Sequence, residues 1–302
     1  MNCIDLFAGA GGFSHGARLA GLQVLWAANH WQTAVDWHRA NHPGTGHACQ
    51  DLQQFDFTEA PAHDVLLASP ACQGHSPARG TDRPHHDAQR ATAWAVITCA
   101  EVHRPAAVVV ENVPHFARWQ LYPAWCAAMH ALGYALAPQV IDAADHETPQ
   151  HRRRLIIVAT RSRHPIDLQL EPRPHIPASA VIDFSAGRWR PVSRKVAATR
   201  QRVAKGRAAF GPRFVMPYYG SGSGRTGRSL ARPIGTITTR ARWGVVNGDV
   251  MRMVSRAENQ AFMGFPADYL LPESDTEANH LLGNAVPPRM ACAVLAKLRQ
   301  QL

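Results

Sequence analysis

The chain has 302 residues, 46% of them hydrophobic and 18% charged, enough to bury a sizeable core in one large domain or two unequal ones. It has no run of about 18 apolar residues, and its opening MNCIDLFAGAGG lacks a basic stretch followed by a long apolar one, so a membrane span and a secretion signal are not expected and a cytoplasmic protein is. The formal net charge is +10, yet residues 161–242 hold 17 Lys and Arg against three acids (Asp167, Glu171, Asp183), a local balance of +14 that leaves the remainder at −4. A charge excess confined to one segment is the electrostatic footprint of a polyanion partner.

In chain order, the apolar runs CIDLFAG, LQVLWAA, HDVLLAS, AAVVVENV and RRLIIVAT alternate with stretches of helical character over the first 160 residues. That alternation predicts an α/β fold with a doubly wound, mostly parallel sheet. In such sheets ligands bind beyond the carboxyl ends of the strands, and Gly9 to Gly12, Asn29, Cys72, Glu111 and Asn112 all fall there. From about 161 the text turns rich in proline, then in arginine and glycine, and predicts a smaller, loop-rich, β-containing second domain with few long helices. The expected division is 1–165, a basic domain over 166–245, and a segment 246–302 returning to the first domain, with MRMVSRAENQAFMGF and PPRMACAVLAKLRQQL helical.

Some chemistry can be read from the residues alone. DLFAGAGGFSHG joins a strand to a helix through a glycine turn that lets backbone approach a ligand, but Ser14 stands where a third glycine would complete G-x-G-x-x-G, which argues against a nicotinamide dehydrogenase. Cys72, at the end of one apolar run, is by its local sequence either a buried inert thiol or a nucleophile. The six cysteines, Cys3, Cys49, Cys72, Cys99, Cys126 and Cys292, show no zinc-ligand spacing, and no metal is expected. An extended Gln150-His151-Arg152-Arg153-Arg154 would put Arg152 and Arg154 on one face.

Taken together, DLFAGAGG, PACQG at 70–74, ENV at 111–113, QHRRR at 150–154, RPIGT at 232–236 and GNAVPP at 283–288 resemble, in order and approximate spacing, the DNA cytosine-5 methyltransferase family. The resemblance covers almost the whole chain and implies a Rossmann-like methyltransferase fold acting as a monomer on double-stranded DNA, in the setting of restriction-modification. It implies Cys72 as nucleophile, Glu111 as the acid at the base edge, Arg154 at the target base and Arg152 organising the active-site loop and phosphates. It implies S-adenosylmethionine as methyl donor, cradled by Phe7, Gly9, Ala10, Gly11 and Gly12, with Asn29 and His30 at the ribose, Asp51 and Leu52 at the adenine, and Asn284 and Val286 completing the pocket. Gln73, Ser76, Arg79 and Arg83, on a loop expected to close over a flipped nucleotide, and Gln150, Arg225, Arg228, Arg240 and Arg242 are the implied DNA contacts. RNA as the polynucleotide, or a catalytically silent DNA-binding relative, are the alternatives.

The chemistry explains the residue types. Carbon 5 of cytosine is a poor nucleophile, and adding a thiolate at carbon 6 makes it enamine-like, while a carboxyl group supplies a proton at nitrogen 3. This chain departs from the family pattern in two places. Asn29 and His30 stand where an acid and an aromatic are usual, making the ribose partner neutral. Ala71 replaces the proline that usually precedes the cysteine, with His75 where an aromatic is common.

Overall fold

The runs CIDL, VLLA and AVVVEN are apolar at nearly every position because the strands they form are covered on both faces. The computed structural model describes residues 1–71, 91–218 and 227–302. It divides into two compact units: residues 1–142, 153–172 and 285–302 form the first, and residues 143–152 and 173–284 the second.

The first unit is built on a seven-stranded sheet. Its strands are β1 (Asn2–Leu6), β2 (Gln23–Asn29), β3 (Gly46–Cys49), β4 (Val65–Ala68), β5 (Ala107–Asn112), β6 (Ala135–Asp142) and β7 (Arg153–Thr160), in the spatial order β3-β2-β1-β4-β5-β7-β6. The five strands from β3 to β5 run parallel, while β7 is antiparallel to both β5 and β6. The five expected strands are all present. The two that the pattern did not announce, β3 and β6, are the sheet edges, and β6 carries Pro138, which an edge strand tolerates because its missing N–H costs no ladder bond there.

Helices α1 (Gly12–Leu19), α2 (Gln32–Asn41), α3 (Trp94–His103), α4 (Tyr122–Ala131) and α8 (Pro288–Arg299) belong to this unit. Gly16 lets α1 and α8 meet at backbone distance: a Cβ there would lie 2.5 Å from Ala291 Cβ and 2.7 Å from the Pro288 carbonyl oxygen.

The turn between β1 and α1 is fixed from inside. Gly11, at the helix N-terminus, has no side chain with which to cap it, so Asp5, buried in β1, supplies the acceptor: its Oδ2 takes the Ser14 N–H at 3.1 Å and the Ser14 hydroxyl at 2.7 Å. Ser14 Oγ lies 3.0 Å from His38 Nε2, and His38 Nδ1 lies 2.8 Å from His47 Nε2. Because the Ser14 proton goes to Asp5, the chain has one direction: His47 donates to His38, and His38 to Ser14. Burial lowers the pKa of His38 well below that of an ordinary histidine, with His42 and His47 adding to the effect, so the ring in this chain is neutral. Burial also pushes Asp5 up to about 7, against the two Ser14 hydrogen bonds, and its Oδ1 is buried without a hydrogen-bond partner.

The second unit carries a four-stranded antiparallel sheet, β8 (Arg190–Pro191), β9 (Arg213–Pro217), β10 (Trp243–Asn247) and β11 (Val250–Met253), in the order β8-β11-β10-β9. Helix α5 (Ala197–Phe210), the longest described in the chain, packs Val203 into a core with Phe214, Met216, Val246 and Met251. Few long helices were expected here, and α5 escaped because its buried face is only Thr199, Val203 and Gly206. Met251 to Met253, expected as helix, form β11 instead. Helices α6 (Arg256–Phe262) and α7 (Asp275–Asn284) also belong to this unit, so the chain returns to the first unit at Ala285 rather than at 246. A buried bidentate pair explains part of this: Arg252 of β11 holds Glu258 of α6 at 2.6 and 2.7 Å, and Glu258 also accepts the Asp183 and Ser255 N–H groups.

Two outcomes are expected. Gly16→Ala should lower the thermal midpoint, because overpacking of about 1–3 kcal/mol outweighs the gain in helix propensity of about 1 kcal/mol. Asp5 holds its proton more tightly folded than unfolded, so its contribution to stability is present in acid and is lost as the pH rises from about 4, the unfolded carboxyl value, through 7. Denaturant titrations should therefore show wild type losing stability relative to Asp5→Asn across that window, and a constant gap would refute a raised pKa.

Candidate active site

In the first unit the functional side chains stand at one end of the sheet, where β1, β2, β4 and β5 finish and the antiparallel β7 begins. After β1 the chain winds through Phe7 (φ 62°), Gly9 (φ 53°) and Gly11 (φ 77°), three left-handed residues within five. A left-handed phenylalanine is costly; the Ala8 N–H bound to Ala28 O at 3.0 Å and the Gly11 N–H bound to Ala8 O at 2.8 Å hold the turn. Ala10, Gly11 and Gly12 are buried, and Phe7 is half-buried.

A small hollow lies beside this turn, lined by Ala8, Gly9, Ala28, Asn29, His38 and His47 among others. Asn29 ends β2, and its Oδ1 accepts the Trp31 N–H at 3.0 Å, which assigns the amide orientation and leaves the Nδ2 hydrogens for other work. His30 is exposed. Asp51 follows β3, exposed, its Oδ1 turned to the Gln53 N–H, while Leu52 is buried. His38 and His47 were not among the residues expected here. The available signal was that His38 falls on the buried stripe of α2 with Ala34 and Val35, a place for an apolar side chain.

Glu111 and Arg154 do come together. Antiparallel pairing sets Glu111 opposite Ile156 and Asn112 opposite Leu155, which brings Arg154 to the end of β5. Its Nε lies 2.8 Å from Glu111 Oε1, with both side chains almost wholly buried. Arg154 Nη1 also donates to the Arg153 carbonyl at 2.9 Å. The next side chain, Asn112, donates from Nδ2 to the Pro70 carbonyl at 3.1 Å, tying the end of β5 to the segment that leads to Cys72. Cys72 itself lies outside the described residues, as do Gln73, Ser76, Arg79, Arg83 and Arg225 and the stretch expected to close over a nucleotide.

In the second unit, Gln150, expected at DNA, and Arg152, expected at the active-site loop and phosphates, are both buried and bound to backbone. Gln150 is fully buried: its Nε2 donates to Phe262 O at 3.0 Å and its Oε1 accepts the Ile237 N–H at 2.7 Å. Arg152, 1% exposed, donates to the carbonyls of Ile237 at 2.9 Å and Gly283 at 2.8 Å, which ties those segments to its own. The backbones of the two motifs are also joined, His151 N–H to Ile234 O at 2.8 Å and Ile234 N–H to Pro149 O at 3.1 Å. Gly283 lies so close to this strap that a Cβ would sit 2.2 Å from Thr239 N. Asn284, ending α7, is exposed; Val286, in the first unit, is buried. Arg228 and Arg240 are exposed and Arg242 half-buried; Arg228 lies over the Trp243 ring at 5.3 Å, and Arg242 donates to Tyr218 O at 3.2 Å.

Among the described residues no helix is long and apolar enough to cross a membrane, and no group of three or more His, Cys, Asp or Glu could hold a metal ion. The fold is that of solved methyltransferases. EhMeth of Entamoeba histolytica superposes with a TM-score of 0.73 at 14% identity, covering 100% of this chain and 98% of that one. Dnmt2 of S. pombe does so at 0.69 and 14%, over 100% and 98%. In sequence, the type II methyltransferase M.HgiDI of Herpetosiphon aurantiacus is 26% identical over 308 residues, 100% of this chain and 95% of the relative. M.NlaX of Neisseria lactamica, also a type II methyltransferase, is 26% identical over 316 residues, 99% and 96%. The C-5 cytosine-specific DNA methylase family matches residues 1–186 and 185–300. With motifs, fold and full-length relatives in agreement, the chain belongs to that family and is a DNA (cytosine-5-)-methyltransferase.

Proposed function

We propose that this enzyme methylates a cytosine turned out of duplex DNA through a covalent adduct with Cys72. The thiolate adds to carbon 6 while nitrogen 3 takes a proton from Glu111, leaving carbon 5 as the enamine carbon whose electron pair captures the methyl group. Loss of the carbon 5 proton to a base then expels the thiolate from carbon 6 and restores the double bond, and nitrogen 3 returns its proton to Glu111. The observation that carries this reading is the Glu111–Arg154 ion pair of 2.8 Å, beside the Asn112 bond to Pro70, two residues before Cys72. Arg154 Nη2 remains to meet the base.

S-adenosylmethionine, the donor that the family resemblance implies, supplies an electrophilic methyl when bound. The residues suit such a ligand: a left-handed turn carries two glycines whose backbone a ligand can approach, and Asn29, at the end of β2, keeps its Nδ2 hydrogens for it. Phe7 and Gly9 to Gly12 would cradle it, with Asn29 and His30 at the ribose and Asp51 and Leu52 at the adenine. Asn284 and Val286 are the further proposed contacts. The partner is duplex DNA, whose phosphates suit the basic segment 161–242, with Arg228, Arg240 and Arg242 the described candidates for contact. Turning the base out costs a few kcal/mol, which those contacts offset.

DNA carrying 5-fluorocytosine, whose fluorine cannot leave as a proton does, should trap a covalent complex with wild type and none with Cys72→Ser, as read by denaturing electrophoresis. A wild type that methylates its target without ever forming the complex would sink the covalent mechanism. Asn29→Asp keeps the acceptor for Trp31 N–H and adds a charged one for ribose hydroxyls, so calorimetry should show S-adenosylmethionine binding about fivefold tighter. Weaker binding would mean that donation from Nδ2 is what the site uses.

A further inference from the structure

Each residue of Ser69-Pro70-Ala71, the segment leading from β4 to Cys72, is held by a different neighbour. The Ser69 N–H donates to Leu6 O at 3.1 Å, the Pro70 carbonyl accepts from Asn112 Nδ2 at 3.1 Å, and the Ala71 N–H donates to Thr92 Oγ1 at 3.1 Å. The last two bonds grip the same peptide unit, because the Pro70 C=O and the Ala71 N–H lie in one plane and point to opposite sides of the chain. With that plane held at both ends, only the two dihedral angles of Ala71 separate it from the peptide bearing Cys72.

Thr92 stands on firm ground. The carbonyl of its neighbour Ala93, 1% exposed, accepts the Trp125 indole N–H at 3.0 Å, and Trp125 is fully buried edge-on against Phe116. Its own carbonyl accepts the Ala95 N–H at the start of α3.

We propose that Thr92 is a positioning residue for the nucleophile, its hydroxyl doing by hydrogen bond what a proline at 71 would do by ring closure. Proline fixes φ near −65° and has no N–H, so the two devices exclude one another: only a residue such as alanine can offer the proton that Thr92 accepts. Alanine alone would leave the turn loose. Alanine with Thr92 restores the restraint and also ties together two points 21 positions apart, across the stretch that contains Cys72. The proposal rests on the reading of Cys72 as the nucleophile.

A double-mutant cycle tests it, with the rate of covalent trapping on 5-fluorocytosine DNA as readout and calorimetric binding of S-adenosylmethionine as control. Thr92→Val should slow trapping about fivefold, the scale of one neutral hydrogen bond, while cofactor affinity holds; Thr92→Ser should stay within about twofold of wild type. In an Ala71→Pro background, which has no N–H to lose, Thr92→Val should cost less than about twofold. Equal costs in the two backgrounds, or serine as slow as valine, would overturn the positioning role while leaving the covalent mechanism standing. A wild type that is never trapped would remove the nucleophile and this role with it.

Discussion

Strands covered on both faces leave chemistry almost nowhere to stand. In β4 and β5 every residue is buried, so a polar side chain there needs a partner or must wait for the strand's end. Glu111 and Asn112 take the second course and sit at the last two places of β5. The reversal of β7 then matters, because an antiparallel neighbour begins where β5 ends and can bring Arg154 to Glu111 without a loop of its own. A parallel neighbour in that position would have ended there instead, and would have offered a residue from its far end.

Asp5 is the exception, a carboxyl group in the second-last place of a buried strand. It is tolerated because the helix that follows starts without a capping side chain, and the carboxyl group meets that need from below. The Ser14, His38 and His47 relay extends the same solution across α2 to the outer strand β3. One buried acid thereby anchors a polar relay that links four elements, β1, α1, α2 and β3.

How much of this was legible varied with what each signal depended on. Burial on both faces writes itself as a largely apolar run, so β1, β2, β4, β5 and β7 could be read directly. Edge strands see solvent and need no such run, which hid β3 and β6. Small residues hid α5, whose contact with Phe214 goes through Gly206, where a Cβ would lie 2.4 Å from the ring. Motifs showed which residues matter but not where they lie: Gln150 and Arg152 look, in sequence, like hands held out to a polyanion, yet both are buried and hydrogen-bonded to distant backbone. Polar side chains are read as surface by default, and burial by multiple hydrogen bonds to distant backbone has no local signature. Glu111 with Arg154 was legible as a pair of roles, and the ion pair between them followed only from the register of β5 on β7.

The contact at Gly16 has a consequence for how the protein is made. Helix α1 is packed by α8, with Ala291 and Pro288 filling the space that the glycine leaves. During synthesis α1 emerges early and α8 among the last elements, separated at ordinary elongation rates by roughly 15 to 60 s. Through that interval the glycine face of α1 has no partner from α8, and the turn from Phe7 to Gly12 is held by β1, β2 and the residue that follows β4. Helix α1 is therefore made long before its packing is finished, and a ribosome stalled short of Pro288 would hold a sheet whose first helix still shows a glycine face to solvent.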